Sequence, residues 1–465
     1  MDYLRYFLEP KAVAIVGASA TPKKPGYMML ENLIRWGFNG KIYPVNPSGG
    51  GILGIKTYKS LKDVPEDVEL VASLAPAKDT MKIIEQAGDK EVKGIVLVSS
   101  GFSGAGKEGS RIERDVVDMA HKNGMRIIGP NAIGPINTSN DFVLSFYPIE
   151  SLKKGHVAFI AQSGQFVAPL MEFIFSFLHV GMSKSFDLGN KCDIEEADVL
   201  EYLENDPDTK IIAVHCEGIK KGRRFLKVCK RVSEKKPIIV FKTGKTLVGA
   251  KAAVSHSGAI SVDDTVFSAA LRQAGAIRAS DLDEFLDLIK VFDYLPLPKG
   301  KNIGIATYSG GIGVILADAC VEHGLSVANF SEETISKIKT VLPQAAEVSN
   351  PLDFFSVAPP QDIDNLYQTT IRALVKDKNI NIVILCIMLP EQNVWIPDPH
   401  LIVDAASDTT KPIIVLSIGH WERIRNISNV LEDGGIPVFL SPERAVKAIS
   451  ALYRYSNSGF SIDRS

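Results

Sequence analysis

Cysteine is scarce and badly spaced for its structural uses. The 465 residues hold five, Cys192, Cys216, Cys229, Cys320 and Cys386, an odd number with no Cys-x-x-Cys pair. That excludes a disulfide frame and a thiolate zinc site, and it places the chain in a reducing, cytoplasmic setting. An excess of one charge is also missing. Lys and Arg number 52 against 54 Asp and Glu, a net charge of −2, so no long-range field draws the chain to nucleic acid or to an anionic membrane. No apolar run is long enough to span a bilayer. The first such run, Ala12 to Val16, breaks at Gly17, and the N-terminus lacks a signal-peptide pattern. What is present is an ordinary globular composition, 45% hydrophobic and 23% charged. The length fills about three domains of roughly 150 residues each.

One local pattern occurs three times. Ala12-Val13-Ala14-Ile15-Val16 runs into Gly17-Ala18-Ser19. Val157-Ala158-Phe159-Ile160-Ala161 runs into Gln162-Ser163-Gly164-Gln165. Asn302-Ile303-Gly304-Ile305-Ala306-Thr307 runs into Ser309-Gly310-Gly311-Ile312-Gly313. Each is a short buried-strand run, a small-residue turn and then a segment of helical period. That is how a parallel α/β unit opens. Further strands are predicted at Lys41–Val45, Leu70–Leu74, Gly94–Val98 and Arg126–Ile128, at Ser183–Asp187, Ile211–Cys216 and Pro237–Phe241, and at Ile382–Met388, Pro412–Ser417 and Pro437–Phe439. Helices are predicted at Met81–Gly88, Asp263–Gly275 and Leu282–Tyr294. The alternation implies doubly wound parallel sheets. Leu295-Pro296-Leu297-Pro298-Lys299-Gly300 cannot continue a helix and reads as a linker. The earlier boundary falls between Gly134 and Gly155. In such sheets ligands sit beyond the carboxyl ends of the strands, so the search for function narrows to the loops there.

The first of these loops, Gly17 to Gly26, leads from a strand into a helix starting near Tyr27. Free amides and the positive helix end suit an anion. It is not the G-x-G-x-x-G fingerprint. Where a nicotinamide site wants a ribose-binding carboxylate, the chain has Pro44-Val45-Asn46-Pro47, which counts against NAD. Lys23, Lys24 and Lys41 favour a more phosphorylated nucleotide. Ser73-Leu74-Ala75-Pro76, Ser99-Ser100-Gly101-Phe102 and Gly129-Pro130-Asn131-Ala132 extend a small, polar groove along the same edge.

Gln162-Ser163-Gly164 resembles a serine nucleophile elbow, yet G-x-S-x-G fails at both glycines. The alternative is a phosphate cradle, in which a helix starting at Ser163 or Gly164 offers its free amides. Glu217 follows the strand Ile211–Cys216. Then comes Lys242 to Ile260, KTGKTLVGAKAAVSHSGAI, with His256 between Ser255 and Ser257 in a small-residue loop. A bulky phosphate can approach such an imidazole closely, and near neutral pH it is largely unprotonated. Glu217 can accept from one ring nitrogen and leave the other nucleophilic; Asp187 and Asp193 are weaker candidates for that role. Ser309–Gly313 and Asn350-Pro351-Leu352-Asp353 of the third domain read as structural.

Together the GAS turn, the AQSG turn and the SHSG histidine resemble the α subunit of NDP-forming acyl-CoA synthetases, of the archaeal ADP-forming acetyl-CoA synthetase type, relatives of succinyl-CoA synthetase. The resemblance covers the whole chain, and SHSGA is its most specific motif. It implies a Rossmann-like CoA-binding domain at 1–140, a flavodoxin-like domain bearing a phosphohistidine at 141–295 and a flavodoxin-like ligase domain at 296–465. Coenzyme A would lie on Gly17, Ser19 and Lys24, with Asn46 and Pro47 at its nucleotide end and Ser73, Pro76, Ser99 and Asn131 along its pantetheine arm. His256 would carry the phosphoryl group, Glu217 would orient it, and Gln162, Ser163 and Gly164 would hold its phosphate. ADP, ATP and Mg²⁺ would sit on an ATP-grasp β subunit, in an α2β2 complex, since no ATP-grasp segment is found here. No metal ligand is assigned to this chain. Two other readings stay open: a non-catalytic acyl-CoA sensor and a dinucleotide-dependent oxidoreductase.

Overall fold

A computed structural model describes residues 2–460 apart from 104–105, 167, 258–262, 345, 355–361, 393–394 and 408; at 2, 165 and 254–257 it describes the backbone alone. The chain divides into two compact units, one running to Ser280 and the other starting at Asp281.

The first unit holds two sheets. In the first, strands β1 (Ala12–Val16), β2 (Lys41–Val45), β5 (Leu70–Ser73), β6 (Gly94–Leu97) and β7 (Arg126–Ile128) run parallel in the order β2-β1-β5-β6-β7. A small hairpin, β3 (Gly50–Ile52) with β4 (Ile55–Thr57), forms a sheet of its own, and Tyr58 after it bridges to Val45 at the end of β2. Side chains alternate between two cores. Val13, Ile15, Leu70 and Ala72 pack on one face, and Ala14, Val71, Ile95 and Leu97 on the other. Burial on both faces explains why these strands are continuously apolar. Each fully buried Val, Ile or Leu contributes about 1.5–3 kcal/mol relative to exposure.

The second sheet contains β8 (Ile136–Asn137), β9 (Phe142–Val143), β10 (Lys154–Ala161), β11 (Met182–Asp187), β12 (Ile211–Cys216), β13 (Ile238–Lys242) and β14 (Ile277–Ala279). Its order is β14-β13-β12-β10-β11-β8-β9, with β8 and β9 antiparallel at one edge. This sheet therefore begins within the stretch that the sequence leaves as a boundary.

The second unit contains β15 (Asn302–Thr307), β16 (Ser326–Val327), β17 (Leu352–Asp353), β18 (Ile382–Leu389), β19 (Ile413–Gly419) and β20 (Val438–Phe439) in the order β16-β15-β18-β19-β20, with β17 paired to β15. The helix Leu282–Tyr294 belongs to this unit. Its Asp287 accepts from the Arg444 guanidinium at 2.8 and 2.9 Å, and its buried Lys290 donates to the Val438 carbonyl at 2.6 Å and pairs with Glu432. Among the described residues no helix is long and apolar enough to cross a membrane.

Counted within its own parallel strands, each sheet has the order 2-1-3-4-5. The chain is thus three doubly wound α/β sheets, and each has one point where the winding reverses: β1/β5, β10/β12 and β15/β18.

The predicted strands fall within a residue or two of the observed ones, except that β10 starts three residues before Val157, and Leu282–Tyr294 matches at both ends. Two local expectations are corrected. Gly164–Phe166 is a single 3-10 turn, and the α-helix begins only at Pro169; proline at the first helical position sets that start. The segment around His256 is not a loop through its length, because Leu247–Ser257 is an α-helix. Its alanines favour helix, and the small residues read as loop-forming were helix-compatible.

A polar seam joins the two sheets of the first unit. Arg126 donates to both carboxylate oxygens of Asp193, at 3.0 and 2.8 Å, and the Ile127 N–H donates to the same group at 2.8 Å. His121 lies 2.9 Å from Asp193 as well. Asp187, fully buried at the end of β11, accepts from the Ile133 N–H at 2.6 Å and the Gly189 N–H at 3.1 Å. Both candidate carboxylates therefore bind the seam. Burial pushes the Asp187 carboxyl up to about 6, against the pull of the two amides. Its folded value lies above the ordinary 3.8, so its contribution to stability is greatest below about pH 4 and is lost as pH rises through 6. Two pKa units correspond to about 3 kcal/mol. Between pH 4 and pH 7 the unfolding free energy of the first unit should therefore fall by about that much relative to Asp187→Asn, measured by urea titration at each pH. A difference that stays flat over this range would contradict a protonatable Asp187.

Candidate active site

The first crevice opens at the β1/β5 reversal. Gly17 leaves β1 with φ +90°, a conformation that favours glycine. Its N–H donates to the Val45 carbonyl at 3.0 Å. Across the turn the Asn46 side-chain amide donates to the Ala18 carbonyl at 2.8 Å, and the Thr21 N–H donates to Ser19 Oγ at 3.1 Å. Space is tight: a Cβ at Gly26 would lie 2.4 Å from the Gly17 carbonyl oxygen, and one at Gly17 would lie 3.2 Å from Leu74 Cβ. The turn is pressed between the helix Pro25–Arg35 and the neighbouring strand end. Ser73, the last residue of β5, is fully buried, and among the described residues its Oγ has no hydrogen-bond partner.

Other predicted coenzyme contacts line the same edge. Ser99 Oγ donates to the Ala75 carbonyl, and the Asn131 N–H donates to the Ser99 carbonyl at 3.2 Å. Lys24, Pro47, Pro76 and Asn131 are exposed at its rim. Lys24 and Pro76 each immediately precede a helix, Pro25–Arg35 and Ala77–Asp89. Lys41 is the exception among the lysines credited to this loop. It opens β2, at the opposite end from the crevice, and pairs with Glu66.

The second crevice opens at the β10/β12 reversal. The register sets Ala161 beside His215 and Cys216 beside Lys242, so Gln162, Glu217 and Thr243 follow three adjacent strand ends. Gln162 is buried. Its Oε1 accepts from the Glu217 N–H at 2.9 Å, the Gly218 N–H at 3.4 Å and the Lys191 ammonium at 2.9 Å. Gln162 thereby binds protein groups through its carbonyl oxygen and holds the turn against the Glu217 loop. Beyond it, Ser163 and Gly164 are half-buried, and among the described residues their N–H groups have no hydrogen-bond partner. A Cβ at Gly164 would lie 2.5 Å from Ile133 Cδ1 and 3.2 Å from the Asp187 carboxylate. Glu217 is buried directly after β12. The turn is anchored below by Phe166, whose ring stacks on His215 at 3.7 Å and 5°.

His256 is the penultimate residue of the helix Leu247–Ser257, and its side chain lies outside the described residues, as does Gly258. What leads to it is described. Buried Lys242 ends β13 and donates to the Thr243 and Gly244 carbonyls, both at 3.2 Å, and Gly244 takes φ +68°. The helix thus follows β13, the neighbour of β12, whose end immediately precedes Glu217.

In the third sheet Asn350 behaves as read. Its amide donates to the Ile303 and Ala328 carbonyls at 2.7 Å each and its oxygen accepts from the Ile305 N–H at 3.0 Å. Asp353 approaches the helix start at Gly310, where a Cβ would lie 2.8 Å from its carboxylate.

Three site residues went unnoticed in the sequence: His215, Lys191 and the buried state of Lys242. His215 could have been found as one imidazole inside the apolar run Ile211–Cys216. Lys191 carries no such signal, since an exposed and a buried lysine look alike in a loop.

Known proteins resemble the chain along its whole length. Residues 11–138 match the CoA binding domain family, 154–292 the succinyl-CoA ligase like flavodoxin domain family and 303–463 the Ligase-CoA domain family. The chain is 38% identical to the acetate–CoA ligase [ADP-forming] II subunit alpha of Pyrococcus furiosus, covering 98% of each. It is 39% identical to the acetate–CoA ligase [ADP-forming] II of Archaeoglobus fulgidus, over 97% of this chain and 67% of that protein. Its fold superimposes on the acetyl-coenzyme A synthetase 1 of Ca. Korarchaeum cryptofilum, solved in complex with phosphate and ADP, with TM-score 0.90, 33% identity and 98% of each chain covered. With this similarity running from end to end and all three domain families matched in order, the chain belongs to the family of α subunits of ADP-forming acetate–CoA ligases.

Proposed function

We propose that this chain is the α subunit of an ADP-forming acetyl(acyl)-CoA synthetase, interconverting acyl-CoA, ADP and phosphate with acid, ATP and coenzyme A. The observation that carries the reading is the second crevice. There one glutamine oxygen binds the Glu217 amide beside the Ser163 and Gly164 N–H groups, which have no partner among the described residues, next to the strand that leads to His256. Residues 1–140 bind coenzyme A, 141–295 carry His256 and 296–465 form the ligase domain. The helix Leu282–Tyr294 closes the second stretch in sequence, while its ion pairs run to the third.

In this mechanism the first crevice fits coenzyme A. Gly17 and Gly26 let a phosphate approach backbone, and the buried Ser73 hydroxyl supplies a polar stop for the pantetheine arm. Ser19, Lys24, Asn46, Pro47, Pro76, Ser99 and Asn131 line its path. Phosphate attacks the thioester carbonyl, releasing coenzyme A as thiol and leaving an acyl phosphate. The amides of Ser163 and Gly164 stabilise the phosphoryl oxygens, each as a preorganised donor. His256 takes the phosphoryl group, the P–O bond to the acyl carboxylate breaks, and the acid leaves. Glu217 accepts a hydrogen bond from one ring N–H, which holds the tautomer and leaves the other nitrogen free to take the phosphoryl group. The phosphohistidine then transfers to ADP. An ATP-grasp β subunit supplies the ADP site with its Mg²⁺, in an α2β2 assembly; the longer Archaeoglobus relative, of which this chain spans 67%, has room for such a part on the same polypeptide. The free cysteines, four of them buried, suit a cytoplasmic enzyme. Acetate or another small acid is the acyl group.

Three variants test this. His256→Ala should abolish the acid-labile phosphoenzyme and ATP synthesis while coenzyme A still binds; normal turnover by that variant in the assembled enzyme sinks the proposal. Glu217→Gln should slow phosphoryl transfer strongly, lowering kcat about 100-fold, the scale of a misoriented reacting group. Gly26→Ala pushes on the Gly17 carbonyl and should weaken coenzyme A about tenfold in calorimetry, leaving phosphoryl transfer from His256 to ADP at its normal rate.

A further inference from the structure

Lys191 is a buried lysine with a full set of partners. Its ammonium donates to Gln162 Oε1 at 2.9 Å, to Glu196 Oε1 at 2.6 Å and to the Gly218 carbonyl at 2.5 Å. Its side chain is 1% exposed, as is that of Glu196. The three acceptors belong to three different strand ends: the turn after β10, the helix that follows the β11 loop, and the loop after β12. The Lys191 backbone is itself held. It sits at φ +54°, a conformation uncommon outside glycine, and Lys220 donates to the Asn190 and Lys191 carbonyls at 3.0 and 2.6 Å. The Gly189 N–H is fastened to Asp187 two residues upstream.

A buried charge is retained only where it is paired and hydrogen-bonded. Here the geometry is tied to the crevice. Gln162 Oε1 shares its lone pairs between the Lys191 ammonium and the Glu217 and Gly218 amides. Lys191 donates to the Gly218 carbonyl as well, so Gly218 is held at its N–H through Gln162 and at its carbonyl by Lys191. The ammonium polarises the glutamine carbonyl and favours the amide bonds to it. Without the charge, the turn that presents Ser163 and Gly164 and the loop that presents Glu217 lose their common anchor.

We infer that Lys191 is a positioning residue: it sets the Ser163–Gly164 turn and Glu217 in the mutual register that phosphoryl transfer requires, without touching the phosphate. The inference rests on the phosphohistidine reading above for its consequence, though not for its geometry.

The test uses the chain purified with its partner subunit. Lys191→Met removes the ammonium and leaves Glu196 buried and unpaired, so the double variant Lys191→Met/Glu196→Gln, neutral and of similar volume, is made beside it and carries the test where the single variant fails to fold. Two readouts are taken. Amide hydrogen exchange at Glu217 and Gly218 should accelerate in the folded variant. Steady-state kinetics should show kcat lowered about 100-fold, the scale of a small misplacement of reacting groups, with KM for acetyl-CoA changed less than about threefold because the coenzyme crevice belongs to the first sheet. Wild-type exchange at those amides, or wild-type kcat, overturns the inference, and so does a loss of kcat accompanied by a matching rise in KM. The same preparation of His256→Ala separates the two claims: turnover there refutes the phosphohistidine, while the exchange rates still decide whether Lys191 anchors the loop.

Discussion

Where a parallel sheet reverses the direction of its winding, neighbouring strands send their connections to opposite faces. Their carboxyl ends then stand apart with no chain crossing between them. This chain has that reversal in each of its three sheets, and the two in the first unit carry the candidate chemistry. Gly17 and Ser73 flank one, and Gln162 and Glu217 flank the other. A crevice is therefore an unavoidable product of the strand order. What differs between the two is the lining. The first is lined by backbone and small polar residues. The second sets a buried ion pair, Lys191 with Glu196, beside the Ser163–Gly164 turn.

The buried charges of the first unit are arranged to hold loops. Asp193 fastens β7 through Arg126 and the Ile127 amide, Asp187 fastens the Ile133 and Gly189 amides, and Lys191 fastens the turns after β10 and β12. Such groups add little net stability over an apolar packing. Their value is in specifying one arrangement of otherwise small, polar loops. Asp187 is the link between the two crevices. Its carboxylate binds the loop that follows Gly129-Pro130-Asn131 and lies close to Gly164 of the turn after β10. The two crevices are thereby built on one seam.

The positions of strands were legible because buried parallel strands are continuous runs of Val, Ile and Ala closed by small residues, as at Ala12–Val16 and Ile211–Cys216. The crevice residues were legible for the same reason: they come next after such runs. Partners were not legible. Gln162 was read as a phosphate ligand, yet its oxygen binds the Glu217 amide and the Lys191 ammonium. Lys41 was credited to the nucleotide loop and lies at the other end of its strand, paired with Glu66. The helix through Leu247–Ser257 was read as loop because glycine, serine and alanine are shared by both.

The sequence alone determined the class of fold, the three repeats of strand, turn and helix, and the loops in which function had to lie, because those follow from local hydrophobic period and from turn chemistry. It also carried the SHSGA motif that connects the chain to its relatives. Only the tertiary structure decided which loops meet. Strand order brings residue 162 next to 217 and residue 17 next to 74, and no local pattern encodes that neighbourhood. It alone decided that Lys191 is a buried anchor, because burial depends on the groups that close over a side chain from distant parts of the chain.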